Sequence, residues 1–455
     1  MAARAWTTAA GSGARIAGSP RKLLLPIMLG LSAIGWLPPA GHGDPTAKAH
    51  LSSSAPLGGM NIAPVSRAMS LASVDREVTV ARALHAKVVR VEVPWREFEP
   101  LGPNQIDPRA QAVTDRVISD AAAAGIGVIV LAESTPCWAS SAPTPLLRAC
   151  APGGSSKASA WPPSDPAAYA AYVAYLAQRY GTRLAAIEVW NEPDQANQHY
   201  FAGPEKPKRY AAILRAAYPA IKQADPSLPV LAGSLVGSSG VFLRALYASG
   251  IKGYYDGLSV HFYNLVLASL RAIRETQLAN GDTKPLWLNE FGWTSCWPRH
   301  RTQQEQACVT PATQGANLAD IFHALARTPY VAAELVYGLQ DYSTEDFGVL
   351  STSGRRKPSF AALSSVLAAP FGNAPRVTLS LSRRGGQVVA SGSGPVGDYM
   401  ALEAQGSRLR DNVTFTLDRF NRYSIALPPV LGTTGLTVRV YQYWTGRGRD
   451  AQKGI

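Results

Sequence analysis

Between residues 58 and 370 the chain alternates eight short apolar runs with Ala-rich stretches of helical repeat, and this alternation constrains the fold more than any other feature. The runs are Gly59–Ala63, Val88–Val93, Gly127–Leu131, Ala186–Trp190, Val230–Gly233, Gly257–Phe262, Pro285–Asn289 and Ala333–Leu339. Each is short enough for a strand and too short for a typical helix. Between them lie segments such as Asp165–Tyr180, where Tyr169, Val173, Leu176 and Tyr180 recur at helical spacing behind a Ser164/Asp165-Pro166 start. Strands separated by helices run parallel, and eight such units close a (β/α)8 barrel. An open doubly wound sheet is the competing arrangement. No glycine-rich phosphate loop follows the first strand, so the TIM barrel is expected.

The flanks read differently. From residue 371 to 455 the text changes to Val377–Leu381, Gln387–Ser391, Tyr399–Glu403, Val413–Leu417, Tyr423–Leu427 and Leu436–Tyr441, alternating runs divided by Gly, Asn, Asp and Pro. That pattern predicts a small C-terminal antiparallel β-sandwich. Residues 1–40 read as a signal peptide or an N-terminal membrane anchor. Arg4, Arg15, Arg21 and Lys22 precede the apolar run Leu23–Leu37, and a Pro-Pro-Ala break follows. Ala47-Lys48-Ala49 is a cleavage candidate, inside a Gly/Pro/Ser-rich linker over 41–57. A cleaved leader gives a secreted or periplasmic protein; an uncleaved one leaves it anchored in the inner membrane.

The formal net charge of +13 raises the question of a nucleic-acid partner. Residues 1–57 carry +4 and residues 371–455 carry +6, which leaves the barrel segment almost balanced. A solvated basic face accounts for this and no nucleic-acid partner is expected. Four cysteines suit an oxidising compartment, and their proximity in sequence pairs Cys137 with Cys150 and Cys296 with Cys308 as loop staples. No CxxC pair or histidine at ligand spacing accompanies them, so a metal site is not expected.

Reactive side chains of a (β/α)8 enzyme sit at the carboxyl ends of its strands. Glu192 falls there for the fourth strand and Glu290 for the seventh, 98 residues apart. At roughly 250 residues per eight units, that is about three units, nearly across the barrel mouth. Two facing carboxyl groups are what glycoside hydrolysis needs: one protonates the departing oxygen, the other attacks the anomeric carbon or activates water. Arg90, ending the second strand, would hold Glu290 ionised, and Tyr263, after the sixth, would donate to the same carboxylate. Asn191 is placed to grip a sugar 2-hydroxyl. Taken singly, each has a plainer reading. Asn-Glu-Pro is ordinary turn chemistry, Arg90 could pair with Glu92, His261 could be a satisfied core histidine, and Trp95, Trp138, Trp287 and Trp293 could be core or rim. Their joint placement on strands two, four, six and seven favours a site.

With those residues in view, the barrel segment resembles clan A glycoside hydrolases, most closely glycoside hydrolase family 39 and its neighbours in family 5. The resemblance rests on Val89-Arg90-Val91-Glu92-Val93-Pro94-Trp95, Ser134-Thr135-Pro136-Cys137-Trp138-Ala139, Ile187-Glu188-Val189-Trp190-Asn191-Glu192-Pro193-Asp194, Val260-His261-Phe262-Tyr263 and Leu288-Asn289-Glu290-Phe291-Gly292-Trp293. It implies Glu192 as acid/base, Glu290 as nucleophile, Asn191, Arg90, His261 and Tyr263 as a supporting shell, retention of configuration, and a β-linked oligosaccharide or polysaccharide substrate. Many clan members carry a tryptophan at the end of strand eight, where this chain has Tyr337 and Tyr342; Tyr337 or Tyr342 would take over the stacking, and Tyr337 and Trp293 are the further substrate-binding candidates. Chemistry by two carboxylates requires no cofactor. The expected activity is internal cleavage of a polysaccharide, an exopolysaccharide being the expected kind. An exo-acting β-xylosidase and a non-catalytic glycan-binding or export scaffold are the alternatives. The sequence sets no oligomeric state.

Overall fold

The computed structural model describes residues 56–455 apart from 155, 264–265, 297–307, 327, 370–376, 395–398, 407–408, 419–420, 433 and 443–450. The leader, nearly all of the linker and part of the Cys296–Cys308 loop therefore lie outside the described residues. Strands β1 (Leu57–Asn61), β2 (Val88–Pro94), β3 (Gly127–Glu133), β4 (Leu184–Val189), β5 (Val230–Leu235), β6 (Gly257–His261), β7 (Leu286–Phe291) and β8 (Val331–Val336) are all parallel and close into a barrel in chain order. The closing pair joins β1 to β8, with Leu57 opposite Ala333. All eight expected strands are present. The (β/α)8 barrel stands.

Period-two alternation builds the barrel in two layers. Val88, Ile129, Ala186, Leu231, Trp287, Ala333 and Leu335 cluster as an apolar floor drawn from β2, β3, β4, β5, β7 and β8. Trp287 fits there because β6 offers Gly257, where a Cβ would lie 2.5 Å from the indole nitrogen. Two residues further along β2 and β4, on the same face, stand Arg90 and Glu188, both buried. The opposite faces, such as Val89, Val91 and Val93 on β2 and Ile187 and Val189 on β4, pack into the larger core under the helices.

Those helices also fasten the strand ends. The helix Pro166–Tyr180 starts where Asp165 accepts a hydrogen bond from the Ala167 N–H, with proline in its first turn. It buries Tyr169, Val173, Leu176 and Tyr180, as the spacing predicts. The Tyr169 hydroxyl donates to the Ala132 carbonyl on β3 (2.7 Å) and the Tyr172 hydroxyl to the Val93 carbonyl on β2 (2.7 Å). Tyr210, on the helix Lys206–Ala224, donates to Val189 on β4 (2.8 Å) and accepts from the Gly233 N–H on β5 (2.6 Å). Carbonyls next to the site are thereby satisfied without water.

Beyond the barrel, β9 (Ser380–Arg384), β10 (Gln387–Ser393) and β13 (Arg422–Ala426) form one antiparallel sheet. Strands β11 (Tyr399–Gln405), β12 (Arg410–Thr416), β14 (Thr437–Gln442) and β15 (Ala451–Gly454) form another. Val388, Ala390 and Tyr423 of the first pack with Met400, Leu402, Ala404, Val438 and Val440 of the second, which makes a β-sandwich. Strand β15 was not expected: Ala-Gln-Lys-Gly has little strand propensity and pairs with β14 through its backbone. Among the described residues no helix is long and apolar enough to cross a membrane.

Candidate active site

Arg90 is the hub. Its five N–H groups are all engaged: Nε with Glu188 Oε2 (2.5 Å), Nη1 with Asn61 Oδ1 (2.9 Å) and Glu290 Oε1 (2.7 Å), Nη2 with Asn191 Oδ1 (2.9 Å) and Ser234 Oγ (3.3 Å). The plainer pairing with Glu92 is not the one formed; Glu92 lies 3.9 Å from Arg96. Asn61 is itself held by the carbonyls of Asn289 (2.8 Å) and Val336 (3.2 Å), so β1, β7 and β8 all fix the guanidinium. Asn191 spends its carbonyl on Arg90 and leaves its amide nitrogen to the cavity it lines.

Glu290 accepts from Arg90 on Oε1 and from the Tyr263 hydroxyl on Oε2 (2.6 Å). Burial keeps Tyr263 protonated by raising it well above the usual phenol range, so it stays a donor. Burial raises the Glu290 carboxyl as well, against the pull of Arg90 and Tyr263 towards the ionised form. Among the described residues no guanidinium or ammonium group contacts Glu192. Its Oε1 meets His261 Nδ1 (2.9 Å) and its Oε2 accepts from Gln195 Nε2 (2.5 Å). Burial, then the charges of Glu290 and Asp194, push Glu192 up to about 9. The two carboxyls are thus set apart by environment: Glu192 is pushed towards the protonated form, and Glu290 is the one that accepts from a guanidinium and a phenol.

His261 bridges the pair, with Nδ1 3.3 Å from Glu290 Oε2 as well. Its burial and the nearby Arg90 depress its basicity well below the usual histidine range, so it is neutral. One ligand-type atom each of Glu192, His261 and Glu290 lies within 4.8 Å of the others. That spacing would also suit a metal ion, but the hydrogen bonds these groups already make argue against one. Both Glu290 oxygens already accept hydrogen bonds, and a guanidinium sits against the same carboxylate.

The local backbone is bent to present these groups. Trp190 and Glu192 have φ of 70° and 42°, the left-handed region that side chains avoid. Trp190 tolerates this because its indole is locked between Tyr169 and Phe201 and donates to the Tyr200 carbonyl (2.9 Å). Glu192 is thereby turned off the end of β4 towards the mouth.

Two cavities meet at the pair, one of about 620 Å³ and one of about 740 Å³. Glu290, Tyr200, Tyr337 and Glu345 line both, Asn191 and Arg90 only the first, Glu192 and His261 only the second. Tyr337, expected as a sugar platform, therefore stands at the junction, its hydroxyl 3.2 Å from Glu345. Tyr342 is half exposed on the wall of the first lobe. Trp293 is elsewhere: it is buried in the helix-side core against Phe291 and lines neither lobe. Cys137 is bonded to Cys150 and Cys296 to Cys308, with Cα atoms 5.8 and 5.0 Å apart.

Glu188, Asn61, Ser234, Gln195 and Glu345 were not singled out from sequence. Glu188 left a signal: one carboxylate inside the run Leu184–Val189 has to find a buried cation.

No family profile matches the chain, and no curated protein matches it. Among solved structures it is similar to the GH39 enzyme from Xanthomonas axonopodis pv. citri, with 13% identity over 90% of this chain and 96% of that one, at a TM-score of 0.53. It is also similar to the endo-beta-1,4-mannanase from Thermotoga petrophila, with 14% identity over 89% and 97% of the two chains, at a TM-score of 0.51. These likenesses extend to the fold.

Proposed function

We propose that the protein is a retaining glycoside hydrolase of clan A, most similar to family 39, that cleaves β-glycosidic bonds in a polysaccharide. One observation carries the reading: oxygens of Glu192 and Glu290 lie within 4.8 Å of each other at the junction of the two cavities. Retaining enzymes hold their carboxyls about 5–5.5 Å apart and inverting ones about 6.5–9.5 Å, the wider gap being needed for a water. The barrel fold shared with glycosidases of known structure agrees with it.

In this mechanism the protonated Glu192 gives its proton to the bridging oxygen as the bond from that oxygen to the anomeric carbon breaks. A Glu290 oxygen bonds to the same carbon from the opposite face. Glu192, now a carboxylate, then takes a proton from water as the water oxygen attacks the anomeric carbon, and the bond to Glu290 breaks. Both side chains return to their starting states. Arg90 and Tyr263 hold Glu290 in line, Asn191 faces the sugar's 2-hydroxyl, and Tyr337 stacks beneath the ring.

Lobes on both sides of Glu290 favour an internal cut in a long chain over an exo-acting β-xylosidase, which would need a blind pocket. The two disulfides favour work in the periplasm or outside the cell, on an exopolysaccharide. The test is NMR of the first product formed from the producing organism's own exopolysaccharide. A β-anomer appearing before mutarotation, and oligosaccharide fragments in place of monomers, are expected; an α-anomer would refute retention. Glu192→Ala should slow substrates with poor leaving groups far more than activated aryl glycosides, while Glu290→Ala abolishes both. Equal losses would refute the assignment of roles.

A further inference from the structure

The reaction above makes no use of Glu188, yet the barrel buries this carboxyl completely and answers it with specific partners. Oε2 takes the Arg90 Nε–H at 2.5 Å and Oε1 takes the Ser234 hydroxyl. Ser234 reaches it through a distortion. Gly233 and Ser234 have φ of 107° and 45°, at a register shift between β5 and β6, and a Cβ at Gly233 would lie 2.6 Å from the Ser259 carbonyl oxygen. A non-glycine residue held in the left-handed region inside a strand is costly, and such a cost persists where the surrounding structure demands it. Here the bend aims one hydroxyl at Glu188 and sets it 3.3 Å from Arg90 Nη2.

The consequence is electrostatic. Arg90 faces two carboxylates, Glu188 through Nε and Glu290 through Nη1. A guanidinium paired with Glu290 alone would bind that carboxylate so tightly that its electron pair would be a poor nucleophile. With Glu188 drawing on the same cation, the hold on Glu290 is divided; the charge of Glu188 acts on Glu290 in the raising direction. We propose that Glu188 and Ser234 form a positioning pair that locks Arg90 and divides its charge, keeping Glu290 ionised but reactive. The catalytic consequence rests on the glycosidase reading. The charge division itself does not.

The test is a titration of the full-length protein carrying ¹³C at glutamate Cδ, with the Glu290 resonance identified by its loss in Glu290→Gln. Glu188→Gln keeps the shape and an oxygen for Arg90 Nε but removes the charge, so the Glu290 midpoint should fall, by about one pH unit. Ser234→Ala leaves Glu188 leaning harder on Arg90, and the midpoint should rise. A merely structural role would loosen Arg90 in both variants and raise both midpoints. A Glu290 midpoint that is unchanged or raised in Glu188→Gln overturns the proposal. Should that variant not melt cooperatively, an unmoved midpoint in Ser234→Ala overturns it alone. Absence of glycoside cleavage by the wild type would remove the glycosidase reading and leave a lowered midpoint standing. Cleavage with an unmoved midpoint would remove only the pair's role.

Discussion

Replacing Glu290 by Gln should change the titration of Glu192 by an amount the structure bounds. Glu192 is pushed up to about 9, first by burial and next by the charge of Glu290. Unit charges 4.8 Å apart, the bound on the nearest oxygens, interact by about 3.5 kcal/mol at an effective dielectric of about 20, or roughly 2.5 pH units. Each charge is spread over two oxygens, so the mean separation is larger and about 2 units is the reasonable share. The Glu192 midpoint should therefore drop from about 9 to about 7 in Glu290→Gln and remain above the ordinary 4.5, because the burial contribution is untouched. The assay is the glutamate Cδ signal of Glu192, assigned by its loss in Glu192→Gln and followed from pH 4 to 11 in both backgrounds. A drop of less than half a unit would mean that Glu192 is raised by its surroundings alone. The two carboxyls would then not share one site, and the double-displacement geometry would be refuted.

Three further outcomes follow from the same structure. In wild type, hydrolysis should fall as pH rises through about 9, where Glu192 loses the proton that the first step transfers; a rate still rising at pH 10 would contradict the acid role. Tyr263→Phe removes the donor on Glu290 Oε2, which should lower kcat/KM on the order of 10- to 100-fold and move the acid limb upward; an unmoved limb would show that the hydroxyl does not serve the carboxylate. Glu334, on β8, is fully buried with neither carboxyl oxygen partnered among the described residues, and burial raises it well above the usual range. A group raised in the folded state stabilises fully only below its unfolded value of about 4.3, and that stability is lost as pH rises towards the folded value, by about 1.4 kcal/mol per unit. Glu334→Leu should therefore raise Tm, by a margin that widens from pH 5 upward; a margin independent of pH would refute the account.

The barrel was legible because its signal is repeated eight times and a wrong strand boundary does not disturb the count. The seventh run was expected to end at Asn289 and ends at Phe291, and the expected architecture is unchanged. The grouping of polar residues was legible where one interrupts or closely follows an apolar strand end, as Arg90, Glu192, His261 and Glu290 do, and the structure brings these four together. Side-chain direction was not. Strict alternation from Trp287 would turn Asn289 inward and Glu290 away, but register shifts between β6 and β7 set Glu290 opposite His261. The bend at Ser234 is of the same kind, and no residue pattern announces it. Trp293 shows the converse: an aromatic just after a strand end reads as a platform, while the structure buries it in the helix-side core, where Gln314 donates to its carbonyl.

These irregularities share one location, which bears on how the molecule divides stability from function. Ser134, Trp190, Glu192 and Ser234 hold left-handed backbone at or beside the carboxyl ends of β3, β4 and β5. Strain of this kind costs on the order of 1–3 kcal/mol per residue and needs a rigid surround. The surround is visible: tyrosines 169, 172 and 210 tie the strand ends to the helices, and the apolar floor fills the barrel beneath. Relaxing one bend should therefore stabilise the fold while it damages the site. Ser234→Gly is the cleanest case, since glycine accepts a φ of 45° and the hydroxyl on Glu188 is lost. Relief of the bend and loss of the hydroxyl on Glu188 are each about 1–3 kcal/mol and oppose one another, so its Tm should stay near that of the wild type while glycosidase activity drops, as read by thermal melts beside hydrolysis rates. A variant that loses stability and activity together would show that the bend supports the barrel itself and is not there for Arg90.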